Sequence, residues 1–188
     1  MSDRSDATLL ARADLDRDAF SELIERHGAV LFRYVARRLG ESIAEDLVSE
    51  VFAIAFAKRL SFHGVDARSW LFGIATKLVQ RHHRREVRML RAYARTGVDP
   101  ASPGADEALR DASRARDLAR MLAGLRSQHR DVLLLTSIGG LSIAEAAEVL
   151  GVEQGTARVW LSRARRRAQA ELGQDPSEAP SQLELEAK

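Results

Sequence analysis

From Leu141 to Ala168 the chain reads LSIAEAAEVLGVEQGTARVWLSRARRRA, a pattern that leaves room for little besides two helices meeting at a tight turn. Ser142 and Glu145 stand in capping-box spacing, where hydroxyl and carboxylate satisfy the bare amides at a helix start. Ala146, Ala147 and Leu150 give that first helix a narrow apolar face, small enough for a second helix to cross closely. Gly151 can take the positive φ that the turn requires, because it has no Cβ to clash. Val152 is expected to plug the core. The second helix is predicted from about Gln154, with Ala157, Leu161, Ala164 and Ala168 as its buried stripe, which leaves Arg158, Ser162, Arg163, Arg165 and Arg166 facing outward. A helix-turn-helix of this kind presents its early residues to base edges and its later arginines to phosphates.

The remainder of the chain also predicts helices. Alanine, leucine and arginine recur, aromatic residues are only 5 %, and these straight or small side chains lose little freedom in a helix, so the fold class is all-α. The 188 residues allow one ordinary domain or two small ones. No cysteine is present, which excludes disulfides and thiolate metal sites. No stretch approaches the roughly 20 apolar residues of a membrane span, and the N-terminus lacks a signal-peptide pattern, so a cytoplasmic location is expected. The net charge of +2 conceals segregation: acids gather before Glu50 and in the tail, while Arg81, Arg84, Arg85, Arg88, Arg91 and Arg95 form one basic block and Arg158 to Arg167 another. Two basic helices in a nearly neutral chain suggest two contacts with one polyanion.

Helical spacing of Phe20, Leu23, Ile24, Val30, Leu31, Tyr34 and Val35 predicts a helix over about 18–39, stopped by Gly40. A second is expected to open with Ser42 and Glu45 in capping-box spacing, burying Ile43, Leu47, Val51 and Ile54 and exposing Glu45, Asp46, Ser49 and Glu50. After the loop SFHGVDA, one long helix is predicted from about Ala67 past Arg88, with Leu71, Ile74, Leu78 and His82 toward the core and Lys77, Arg81, Arg84 or Arg85, and Arg88 on a cationic stripe. The segment TGVDPASPGADEALRDAS reads as a linker. Two further helices follow, marked by Leu118, Met121, Leu122 and Leu125 and by Val132 to Ile138, with Gly139 and Gly140 as the break. The organisation is therefore a lead-in (1–18), a helical domain (19–95), a linker (96–113), a second domain (114–172) and an acidic flexible tail (173–188).

Together, AEDLVSEVFAIAFAK, RSWLFGIATKLVQRHHRR and GLSIAEAAEVLGVEQGTARVWLSRARRR resemble bacterial sigma factors of the extracytoplasmic-function (ECF) subfamily, over roughly Ala19 to Leu172. The first two are similar to that family's second conserved region and the last to its fourth. The resemblance implies a non-enzymatic initiation factor that binds core RNA polymerase, directs it to promoters and helps to open the duplex. It implies that Glu45, Asp46, Ser49 and Glu50 meet the clamp helices of the polymerase β′ subunit, with further contact to β. It implies minus-ten contacts by Lys77, Gln80, Arg81, Arg84, Arg85 and Arg88, with Phe62 and His63 as a base-capturing wall and Trp70 as a stacking candidate or a core residue. Minus-thirty-five contacts fall to Gln154, Thr156, Arg158, Val159, Trp160, Ser162, Arg163 and Arg166.

Departures from the family pattern are visible at Ser49, where glutamine is common, at Lys77, where asparagine is frequent, and at Val159 and Trp160, which replace polar or basic residues. Trp160 flanks the buried stripe and can either reach DNA or wedge against the first helix. An anti-sigma partner is implied by the resemblance, and would hold the protein at the inner membrane in some states. No cofactor, small-molecule substrate or membrane insertion is expected. His82 and His83 point in different directions without further ligands, so no metal site is expected. An enzyme is disfavoured because no nucleophile and base set or phosphate-binding loop is present. The alternative is a conventional helix-turn-helix regulator with an N-terminal sensing or dimerisation domain, which leaves the second basic helix unaccounted for. The tail is expected to be solvated, or to screen the basic recognition helix.

Overall fold

A computed structural model describes residues 4–64, 66–96 and 117–172, and among them there are helices and turns but no strand. The order is α1 (Asp6–Arg12), α2 (Arg17–Leu39), α3 (Glu41–Lys58), a 3₁₀ turn (Arg59–Ser61), α4 (Arg68–Arg81), α5 (His83–Thr96), α6 (117–124), α7 (Ser127–Ser137), α8 (Ile143–Leu150) and α9 (Gln154–Leu172). The linker, from residue 97 on, and the tail lie outside the described residues.

The first five helices surround Leu23, Leu31, Tyr34 and Val35 of α2, Leu47, Val51 and Ala55 of α3, and Leu71, Phe72, Ala75 and Val79 of α4, all buried. Three differences from the sequence reading appear here. First, the lead-in contains α1, which is capped by Ser5 and buries Leu9 and Leu10. Asp6 fixes it: one carboxylate oxygen accepts from the Ala67 amide at 2.8 Å and meets His27 Nε2 at 2.7 Å, and the other accepts from Arg26 at 2.7 Å. Burial would raise the Asp6 pKa, but the Ala67 amide, His27 and Arg26 together outweigh it and hold the carboxyl below its ordinary value.

Second, α3 begins at Glu41 directly after Gly40, with no side-chain cap, so Ser42 lies inside the helix and the expected box with Glu45 does not form. Third, the predicted long helix is two. α4 ends at Arg81, and the His82 amide turns back to the carbonyls of Gln80 and Val79 before α5 starts. His82 is exposed at this break rather than buried.

The last four helices enclose Met121, Leu122, Val132, Leu135, Ala147, Ala157, Leu161 and Ala164. The capping box at Ser142 is fully formed, and Gly151 sits at φ 66° and ψ 38° between α8 and α9. An L-residue at that φ would force its Cβ toward the backbone, so the turn needs glycine. The two cores are continuous: α4 packs on α8, and the α7 end of the second unit reaches α2 and α5 through buried charges.

Candidate nucleic-acid and polymerase interfaces

Three surfaces carry the expected functional residues. On α3, Glu45, Asp46, Ser49 and Glu50 are all exposed, and the Ser49 hydroxyl donates to the Glu45 carbonyl. Beside this acidic face runs an apolar strip: Phe56 and Ile24 are 37 % and 40 % exposed, and Phe20 meets Phe52 and Phe56 edge to face. Partly exposed large apolar groups next to charges are the composition of a protein-docking surface. The residue types of α3 made its acidic face legible, whereas the strip needs α2 beside α3 and was missed.

The second surface is a cavity of about 670 Å³ between the Phe62–Gly64 loop and α4. Phe62 and Trp70 face each other at 5.1 Å, tilted by 38°, and form one wall. His63, Lys77, Arg81 and Lys58 also line it, giving an aromatic platform within a cationic rim. Such a pairing accepts an unstacked base whose phosphate stays at the rim. Trp70 is half-buried: it packs on the core and also lines this cavity. The break at His82 separates the remaining expected residues: Arg85 and Arg88 line a different groove, with Arg91, Arg95 and Arg120, and Arg84 is exposed on α5. Gln80 is exposed, yet its amide donates to Asp131 at 3.1 Å.

The third surface is the outer face of α9. Gln154, Arg158, Val159, Ser162, Arg163 and Arg166 are exposed, and Thr156 is half-exposed. Trp160 instead packs at the edge of the core, with its ring 6.4 Å from His129 of α7. Burial, then the charges of Arg163 and Arg126, lower the His129 pKa, which favours a neutral ring beside the indole. Trp160 thus has His129 of α7 as a neighbour while packing on the core. Val159, 47 % exposed, is the apolar residue presented to solvent from this face.

Sequence reasoning missed a buried charge cluster entirely. Arg38 of α2 donates to Glu86 of α5 at 2.6 Å, to the Tyr34 hydroxyl at 2.6 Å and to Asp131 of α7 at 2.5 Å. Arg130 of α7 grips both oxygens of Glu86 at 3.0 Å and donates to the carbonyls of Leu122 and Leu125. All four ionic side chains are at most 2 % exposed. Burial raises the Glu86 pKa, but Arg38 and Arg130 outweigh it and hold the carboxyl below its usual range; burial disfavours the charge of Arg38, and Tyr34, Asp131 and Glu86 outweigh that and keep it charged. Partners 44 to 93 residues apart leave no local signature.

Asp6, His27 and Asp66 also gather closely. Asp6 is committed to Arg26, His27 and the Ala67 amide, so the group serves as a clasp between α1, α2 and α4.

An all-helical chain with a DNA-type helix-turn-helix, a separate aromatic and cationic cleft, and an acidic docking face has the parts of a transcription initiation factor. The Sigma-70 region 2 family matches residues 23–95 and Sigma-70 region 4 matches residues 115–167. The ECF RNA polymerase sigma factor SigC of Mycobacterium tuberculosis is 34 % identical over 164 residues, which cover 85 % of this chain and 86 % of that protein. The structure of CnrH in complex with the cytosolic domain of CnrY is similar with a TM-score of 0.68 at 29 % identity, covering 93 % of this chain and 99 % of that one. The sigma factor RpoE of Bartonella quintana, solved with the anti-sigma factor NepR, follows at 0.63 and 26 %, covering 85 % and 99 %. The chain belongs to the ECF RNA polymerase sigma factors, non-enzymatic proteins that bind RNA polymerase and promoters and direct transcription initiation. The match through region 2 sets aside the regulator alternative.

Proposed function

We propose that the domain of residues 19–95 docks on core polymerase through α3 and captures minus-ten bases, while that of residues 114–172 reads the minus-thirty-five element through α9. Docking joins two features: Glu45, Asp46, Ser49 and Glu50 steer and orient the β′ clamp helices, and the Ile24 and Phe56 strip supplies buried area. The observation that carries minus-ten capture is the tilted Phe62–Trp70 wall facing Lys77 and Arg81. A flipped base stacks there, its backbone held at the cationic rim, and no catalysis is required. On α9, Arg158 and Gln154 reach base edges, Val159 meets a thymine methyl, and Arg163 and Arg166 hold phosphates. An anti-sigma factor, the kind of partner with which the RpoE of Bartonella quintana was crystallised, would cover these faces of the present chain and hold it in the cytoplasm or at the inner membrane.

Transcription in vitro with core polymerase on a genomic library tests the reading. Discrete promoter-specific transcripts are expected; a folded protein that yields none overturns it. Trp70→Ala is expected to retain polymerase binding and lose roughly 10-fold or more in open-complex formation, since base stacking contributes about 1–3 kcal/mol. Unchanged opening would remove Trp70 from base capture.

A further inference from the structure

A groove of about 790 Å³ between α5 and α6 belongs neither to the acidic face of α3 nor to the Phe62–Trp70 cleft, and Arg85, Arg88, Arg91, Arg95 and Arg120 line it. The first four stand three or four positions apart on α5, on the face opposite the buried Glu86, Leu90 and Tyr93. All four are exposed, and among the described residues they make no ion pair, whereas Arg120 meets Asp117 at 2.8 Å. Like charges at this helical spacing repel, so an anionic occupant relieves them. The floor between the guanidiniums is apolar, formed by Met89, Ala92, Ala94 and Ala123.

The chain itself carries a segment of matching chemistry. Residues 173–188, outside the described ones, hold four acids, Asp175, Glu178, Glu184 and Glu186, against one base, Lys188. Their stretch Leu183-Glu184-Leu185-Glu186 alternates apolar and acidic side chains, which an extended backbone sends to opposite sides. The segment also starts close by. A Cβ on Gly124, the neighbour of Ala123 in the groove floor, would lie 3.2 Å from the Arg167 guanidinium of α9. From Arg167 the helix continues only to Leu172, about 7.5 Å farther on. Residues 173–182 can then span about 33 Å, several times the width of a helix.

We propose that residues 173–188 dock in the α5–α6 groove of their own chain, with Leu183 and Leu185 on its apolar floor and Glu184 and Glu186 paired with Arg91 and Arg95. Arginine side chains are long enough to lie along an extended occupant and meet its carboxylates. Tethering makes a weak site sufficient: an effective concentration of about 1 mM fills a site of about 0.1 mM affinity to roughly nine parts in ten. The outer face of α9 also offers arginines, but its large exposed apolar residue is Val159, and the hollow among Arg158, Arg165 and Arg166 is only about 250 Å³. The two leucines therefore favour the groove. While docked, the segment covers Arg85 and Arg88, and a polyanion must displace it to reach them. The docking itself needs no nucleic acid.

The chain has no cysteine, so Gln182→Cys places one dye on the segment of the full-length protein, and its fluorescence anisotropy reports docking without DNA or polymerase. Anisotropy should be high at 0.1 M salt and fall at 1 M, where the screening length shrinks from about 10 Å to about 3 Å. Arg91→Glu with Arg95→Glu, both exposed changes, should lower the docked fraction about tenfold or more. Glu184→Arg with Glu186→Arg, outside the described helices, should do the same, and combining all four substitutions should restore docking. A dye as mobile in the parent as in either pair overturns the proposal. So does release by Arg163→Glu with Arg166→Glu in place of the groove pair, which would put the segment on α9. Anisotropy that rises with protein concentration would assign the groove to the segment of a second copy and overturn it as well.

Discussion

Glu86 is the side chain on which the most structure converges. Its two oxygens receive Arg38 from α2 and Arg130 from α7, and Tyr34 and Asp131 complete the surroundings of Arg38. Because its pKa is depressed in the folded state, its ionisation contributes stability that is fully present above the ordinary value of 4.5 and is lost as the pH falls through the folded value. Glu86→Gln should therefore cost about 3–5 kcal/mol at pH 7, leaving two buried guanidiniums with one carboxylate. Denaturant unfolding at stepped pH checks this: the gap between parent and variant should narrow below the ordinary carboxyl range. A gap that stays constant down to pH 3 would remove the linkage. Gly151 is a second decisive residue, and Gly151→Ala should lower the stability of the α8–α9 unit by about 1–2 kcal/mol through its φ of 66°, read as an earlier thermal transition.

At the scale of elements, much was legible because the signals are short-range. The periodicity over 18–39, the capping box of α8, the turn at Gly151 and the start of α9 at Gln154 each depend on residues within a few positions of one another. The failures have the opposite character. The apolar and basic stripes over 67–88 are compatible with one helix, and the break at His82, which no local residue announces, leaves Arg85 and Arg88 on a groove apart from the Phe62–Trp70 cleft. α1 is short, and its stability comes from Asp6, His27 and Arg26 contacts that no local pattern announces. For α9, Arg158→Ala should weaken binding to the upstream element by about 1–3 kcal/mol and relax base preference at one position if the guanidinium touches a base. Loss that is uniform across sequences would instead assign it to phosphate.

For the whole molecule, the central fact is that the parts matched by Sigma-70 regions 2 and 4 share one continuous core. Arg95 and Arg120, on either side of residues 97–116, line the same groove. Deleting about ten of those residues leaves a reach of about 35 Å. That variant should keep its helical fold, read by unchanged circular dichroism, and lose transcription from promoters that depend on both elements. Full transcription from such promoters would show that the connection does not limit reach. The helical class, the helix-turn-helix and the sigma-factor resemblance were determined by the sequence alone, since caps, periodicity and motif spacing are encoded within tens of residues. The Phe62–Trp70 wall, the placement of Trp160 beside His129 and the Arg38–Glu86–Arg130–Asp131 cluster were decided only by the tertiary structure, because partners up to 93 residues apart become neighbours through packing.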